Sequence, residues 1–138
     1  MKARVRTRVL LLLAVAAGLG GCRDYPTKSI YHSPIIHSPT VSSVTVFPAV
    51  IGQGDSVLVT VYASDPDGDT LVYDWFTDSR LIIKDAPGEM MLYNTASNSH
   101  VFYRSTYAAH NDTAWVSCYV RDGRGGMDGE RVLILLRD

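Results

Sequence analysis

Apolar side chains recur on every second residue through most of this chain. The pattern is clear in "VLVTVYA" (57–63), "LVYDWF" (71–76) and "AWVSCYV" (114–120). A period of two sends alternate residues to opposite faces of an extended strand, and no amphipathic helix fits it. Strand-like segments of this kind run over 43–47, 55–63, 71–76, 80–84, 90–94, 100–104, 113–120 and 130–136. Between them stand turn signals such as "GQG", "DPDGD", "DAPG", "TASNS" and "DGRGG". Seven or eight short β-branched and aromatic strands joined by turns predict an all-β, antiparallel sandwich.

The same alternation assigns faces. With Thr60 outward, Val57, Val59, Val61 and Ala63 point inward. With Asp74 outward, Leu71, Tyr73 and Trp75 point inward, and with Ser117 and Arg121 outward, Val116, Cys118 and Val120 do. Cys118 is then a core residue whose apolarity suffices, with no neighbouring base or helix start to activate a thiol.

The beginning of the chain follows different rules. Lys2, Arg4, Arg6 and Arg8 precede the apolar run "VLLLLAVAAGLGG" (9–21), which is shorter than the ~20 residues a spanning helix needs. Basic leader, short apolar run and small residues predict an export signal over 1–21. Its end, Leu19, Gly20, Gly21 and Cys22, resembles the lipobox of bacterial lipoproteins. That resemblance implies cleavage before Cys22, acylation of Cys22 (palmitate or a similar chain) and a bilayer as one partner. Two or three acyl chains anchor far more firmly than one. Arg23 lacks the aspartate that resembles an inner-membrane retention signal, so the expected location is the bacterial cell envelope, on the outer membrane where there is one. Residues 22–43, with three prolines, many serines and the echo "YHSPI…IHSPT", read as an extended stalk. His32 and His37 on such a chain make a poor metal site. Residues 44–138 remain for one domain, enough for a single core.

All fourteen acidic residues follow Cys22, whereas four of the thirteen basic ones precede it; the processed chain would carry nine against fourteen, a formal −5. That balance excludes nucleic acid as an expected partner. With Cys22 acylated, Cys118 has no cysteine to pair with.

"ASDPDGDTLVYDW", followed some forty-five residues later by "VSCYVRDGRGG" and "ERVLILL", resembles PKD-type and bacterial immunoglobulin-like domains. The matching positions are Asp65, Pro66, Asp67, Gly68, Asp69, Leu71, Tyr73 and Trp75, then Val120, Asp122, Gly123, Gly125 and Gly126. Cys118 departs from a usually aliphatic place, and the pattern fades over 85–100. The resemblance implies an immunoglobulin-like sandwich, and a spacer, adhesion or protein- or sugar-contacting role in place of catalysis.

In such a sandwich the loop holding Asp65, Asp67 and Asp69 shares a pole with the loop holding Asp122. Four carboxylates on loops suit calcium as a cofactor, and with it a calcium-dependent or carbohydrate-contacting adhesion module. An EF-hand does not fit, because Thr70 and Phe76 stand where it needs Gly and Glu. The competing reading is a tight turn at Asp67 and Gly68, with aspartates accepting backbone N–H bonds; it accounts for the residues without a full ligand shell.

Val72 and Phe76, Trp115 and Tyr119, Leu133 and Leu135 point outward from three strands that neighbour one another in the immunoglobulin arrangement. They predict a contiguous apolar and aromatic face for a protein partner or self-association. The alternative is that residues 85–99 fold across and cover it. The run "VLILL" itself reads as a strand buried on both sides. No nucleophile setting, phosphate loop or metal-spaced cluster is visible, so a non-catalytic module is expected.

Overall fold

In the computed structural model, residues 35–138 are described. The export leader, Cys22 and His32 lie outside the described residues. Among the described residues there are nine strands and no helix: β1 (Thr40–Phe47), β2 (Val50–Ile51), β3 (Ser56–Ser64), β4 (Val72–Thr77), β5 (Leu81–Ile83), β6 (Met91–Thr95), β7 (Ser99–Arg104), β8 (Thr113–Arg121) and β9 (Met127–Leu136). They form two sheets, ordered β1-β3-β7-β5 and β2-β9-β8-β4-β6.

Alternation holds strand by strand. Val57, Val59 and Val61 of β3 are buried while Leu58 and Tyr62 are exposed. On β8, Ala114, Val116, Cys118 and Val120 are buried. These inner faces meet in one core, where Trp75 of β4 lies edge-on to His100 at 5.3 Å and tilted against Phe102 at 6.0 Å, both on β7 of the other sheet. Removing an aromatic side chain of this size from water contributes roughly 4–6 kcal/mol as an upper bound. Trp75 therefore ties the two layers together.

Nine strands replace the seven or eight expected. The addition is β2, two residues that pair parallel to the end of β9 after Pro48, where no run of alternation exists to reveal them. β1 starts at Thr40, three residues before the segment beginning at Ser43 in the sequence reading. "VLILL" is not buried on both sides. Ile134 and Leu136 face the core, but Leu133 is 64% exposed, because nothing among the described residues lies over that face. Asp74 points away from the core as expected, yet it is only 7% exposed: Arg121 and Asn94 close over it. The middle segment joins the five-stranded sheet as its edge strand β6, paired to β4. It extends the outer face without crossing it.

Candidate functional site

β8 places Trp115, Ser117 and Tyr119 on the outer side of the five-stranded sheet, with β9 opposite in the register Trp115↔Leu133, Ser117↔Arg131 and Tyr119↔Gly129. β4 adds Val72 and Phe76 on the other side of β8. All six residues expected on this face lie on it. Tyr119, Leu133 and Leu135 are exposed, and Val72, Phe76 and Trp115 are half-buried. Phe76 sits between two tyrosine rings, each nearly perpendicular to it, with centroids 5.4 Å away for Tyr93 and 5.5 Å for Tyr119. Edge-to-face pairs of this kind hold rings in fixed orientations.

Gly129 makes the arrangement possible. A Cβ there would stand 2.6 Å from Cδ1 of Tyr119 and 2.8 Å from the Cys118 carbonyl oxygen, so only glycine lets the Tyr119 ring lie across β9. Sequence reasoning missed Arg131. Its guanidinium stacks 4.4 Å from the Trp115 ring centroid while its Nε donates to Ser117 Oγ at 2.9 Å. Phe76, Trp115, Ser117, Tyr119 and Arg131 line one depression of about 210 Å³. Sequence reasoning also passed over the outer side of the four-stranded sheet, where Phe47, Leu58, Tyr62 and Tyr103 are exposed. Alternation in "SVLVTVY" was the available signal, since inward Val57, Val59 and Val61 require outward Leu58 and Tyr62.

At one pole, the loop after β3 meets the loop after β8 through Arg124 Nη2 and Asp69 Oδ1, 2.8 Å apart. Carboxylate oxygens of Asp65, Asp67 and Asp69 come within 4.8 Å of one another; Asp122 is not in that group. Most of these oxygens hold the loops. Asp65 Oδ1 accepts from the Asp67 and Asp69 N–H groups, and Asp122 Oδ1 accepts from those of Arg124 and Gly126. Asp67 accepts from the His37 N–H at 2.8 Å and lies 2.8 Å from His37 Nδ1. The backbone donor of His37, then its ring, hold the Asp67 carboxyl below its usual range. Three oxygens are left over: Asp65 Oδ2, Asp69 Oδ2 and Asp122 Oδ2 are buried without a hydrogen-bond partner among the described residues.

Asp85, His100 and Thr95 line up as acid, imidazole and hydroxyl, at 3.0 Å and 3.4 Å. The imidazole is 6% exposed beneath Trp75, and Thr95 Oγ1 already accepts the Ser97 N–H. This row braces the β6–β7 connection against the core. Cys118 is buried and free, and burial, then the Asp74 charge, push its thiol up to about 12.

No family model matches the chain, and no curated protein does. A solved structure is similar: a nucleoside hydrolase-related hypothetical protein from Saccharophagus degradans that is associated with carbohydrate metabolism. The identity is 17% and the TM-score 0.50, covering 74% of this chain and 26% of that one. This chain thus spans about a quarter of that protein's length, and the likeness concerns the fold alone.

Proposed function

We propose that this chain is a non-catalytic binding module, a lipid-anchored protein of the bacterial envelope that holds a protein partner on the outer face of its five-stranded sheet. The observation that carries this reading is the group Phe76, Trp115, Tyr119 and Leu133 on that face, from which the Asp74–Arg121 pair sets Val72 apart. Two tyrosines are set against Phe76, Leu133 lies 64% exposed beside Trp115, and the middle segment extends the face without covering it. Fixed aromatic rings bordered by aliphatic side chains are favoured anchors of protein interfaces, and contiguous patches of this kind are uncommon on surfaces that meet only water.

The immunoglobulin-like reading finds support in strand order. β1-β3-β7-β5 runs as A-B-E-D does in that fold, and β9-β8-β4 runs as G-F-C. β2 would carry the first strand over to the second sheet. The anchor rests on the resemblance of Leu19 to Cys22 to a lipobox, and mass spectrometry of the mature N-terminus tests it: a diacylated Cys22 is expected, and an intact leader contradicts it.

To test the face, a photo-crosslinking residue is placed at Leu133 and, as a control, at Leu58 on the opposite sheet, both in the producing cells. A discrete adduct with another protein from position 133 and none from 58 supports the reading. No adduct from 133, or equal adducts from both, contradicts it.

A second reading places function at the loop pole, as a calcium-dependent or carbohydrate-contacting adhesion module. The three unpartnered buried oxygens of Asp65, Asp69 and Asp122 favour it, since oxygens in that state are the ones an ion or water satisfies. Arg124 and His37 weigh against it, because they already take the other oxygens of Asp69 and Asp67. Calcium would need six to eight oxygen ligands. Thermal unfolding with and without calcium separates the readings. The binding-face account expects no change in Tm, and a rise abolished by Asp69→Ala would establish the loop pole instead.

A further inference from the structure

Arg131 is an odd residue to find on an apolar face. Salt bridges hold Arg80, Arg104, Arg121 and Arg124 to aspartates, but Arg131 has no carboxylate within 4.0 Å among the described residues. It is not loose either. One guanidinium face lies over Trp115, and Nε is fixed on Ser117 Oγ, a hydroxyl that is itself buried. Among the described residues only Nε has a hydrogen-bond partner, which leaves both Nη groups free to donate there. The result is a planar donor fork with its orientation set in advance, and the entropy of ordering it is spent before any ligand arrives.

A fork of this geometry matches a carboxylate, and the neighbouring surface specifies what the carboxylate is attached to. Beside it lie the Phe76, Trp115 and Tyr119 rings. A second depression of about 190 Å³, sharing Ser117, Tyr119 and Arg131 with the first, is lined also by Gly129 and Glu130. Leu133 and Leu135 continue along the same strand.

We infer that Arg131 is a carboxylate receptor at the centre of the binding face, and that its ligand is an aspartate or glutamate side chain flanked by apolar residues on a protein partner. This rests on the binding-face reading and specifies its partner. A uronic-acid sugar would supply the same charge, but two features turn it away. The ring face of Trp115 on which a sugar would stack is already covered by Arg131. Leu133 and Leu135 also offer nothing to a ligand rich in hydroxyls. Asp and Glu carboxylates are charged at neutral pH, so the contact is an ion pair with screened but directional bonds.

The test uses two blocked tripeptides, acetyl-Leu-Glu-Leu-amide and acetyl-Leu-Gln-Leu-amide, with oligogalacturonate as the sugar arm. Each is titrated at millimolar concentration into the full chain. The readouts are the NMR signals of the Arg131 Nε–H and the Trp115 indole N–H. The Glu peptide is expected to shift both and to bind roughly five- to tenfold more tightly than the Gln peptide. In Arg131→Gln that ratio falls to about one. Arg131→Lys, which keeps the charge but loses the fork, retains only part of it. Thermal unfolding confirms that both variants remain folded. Equal binding of the two peptides overturns the receptor and leaves the face standing as an interface. Tighter binding of oligogalacturonate overturns the protein ligand. Silence of both signals toward both peptides overturns the proposal altogether, while the crosslink at Leu133 decides separately whether the face is an interface.

Discussion

Replacing Asp74 with alanine is expected to cost far more than its position on the outer side of β4 suggests. Its carboxylate accepts from Arg121 Nε at 2.8 Å, Arg121 Nη2 at 3.0 Å and the Asn94 N–H at 2.8 Å. Asp74→Ala removes all three. The bond from the Asn94 N–H to this charged group contributes about 1.5–3 kcal/mol, the cost of leaving that donor unpaired included, and the Arg121 pair adds about 0.5 kcal/mol. The Arg121 side chain is 37% exposed, so water recovers part of its share. The net loss is about 2–3 kcal/mol. At about 4–8 °C per kcal/mol for a domain of this size, Tm falls by roughly 10–20 °C. β6 should loosen first, because Asn94 holds it against β4 in a left-handed conformation (φ 55°). Tyr93 would then leave Phe76. Asp74→Asn keeps an acceptor for the Asn94 N–H but turns an amide N–H toward Arg121, so it should lose less than Asp74→Ala and more than a surface change. Glu89→Ala, at an exposed position, should change little. Thermal and urea unfolding by circular dichroism measure all three. A Tm for Asp74→Ala matching that of Glu89→Ala would refute the assignment of Asp74 as the buried tie between β4, β6 and β8.

Three further outcomes follow from the same packing. Cys118, with its thiol pushed up to about 12, should resist iodoacetamide at pH 8 in the folded protein and react once urea unfolds it; labelling of the native protein contradicts its burial. Asp67 and Asp112 are both held below the ordinary carboxylate value, Asp67 by the His37 backbone and ring, Asp112 by the Thr113 N–H and Arg80. Their folded pKa lies below the unfolded one, so their stabilisation is complete above about pH 4 and disappears as pH falls through the folded value; Asp67→Asn and Asp112→Asn should flatten the acid arm of a Tm–pH curve, and an unchanged arm contradicts the linkage. Trp75→Ala should cost about 3–5 kcal/mol, a large share of the about 5–15 kcal/mol a domain holds, and a melting curve close to wild type would remove Trp75 from the junction of the sheets.

Alternation revealed a great deal because each strand needs only its own residues to show it. Val57, Val59, Val61, Trp75 and Cys118 face inward by a rule two residues long. Features that depend on partners far along the chain stayed hidden. Asp74 reads as an ordinary outward charge until β4 and β8 are paired, which sets Arg121, forty-seven residues later, beside it. Arg131 reads as a solvated cation until the register places it opposite Ser117 with Trp115 as neighbour. "MMLYN" looks like a strand, but nothing within it says which sheet it joins. β2 is too short to have a period. The aspartates of the pole were visible as a group, but their division between loop bonds and free oxygens depends on His37 and Arg124, which alternation cannot place.

Thiol footprinting at Leu133 bears most directly on the binding face. Leu133→Cys, Ile134→Cys and Leu58→Cys are labelled with a maleimide, as purified protein and in the producing cells, and the modified residue is located by mass spectrometry. In the purified protein, positions 133 and 58 should label quickly and 134 should not. In cells, 133 alone should become protected while 58 stays reactive. Rapid labelling at 134 would contradict the alternation of β9, and equal labelling of 133 in both settings would mean that nothing docks on this face.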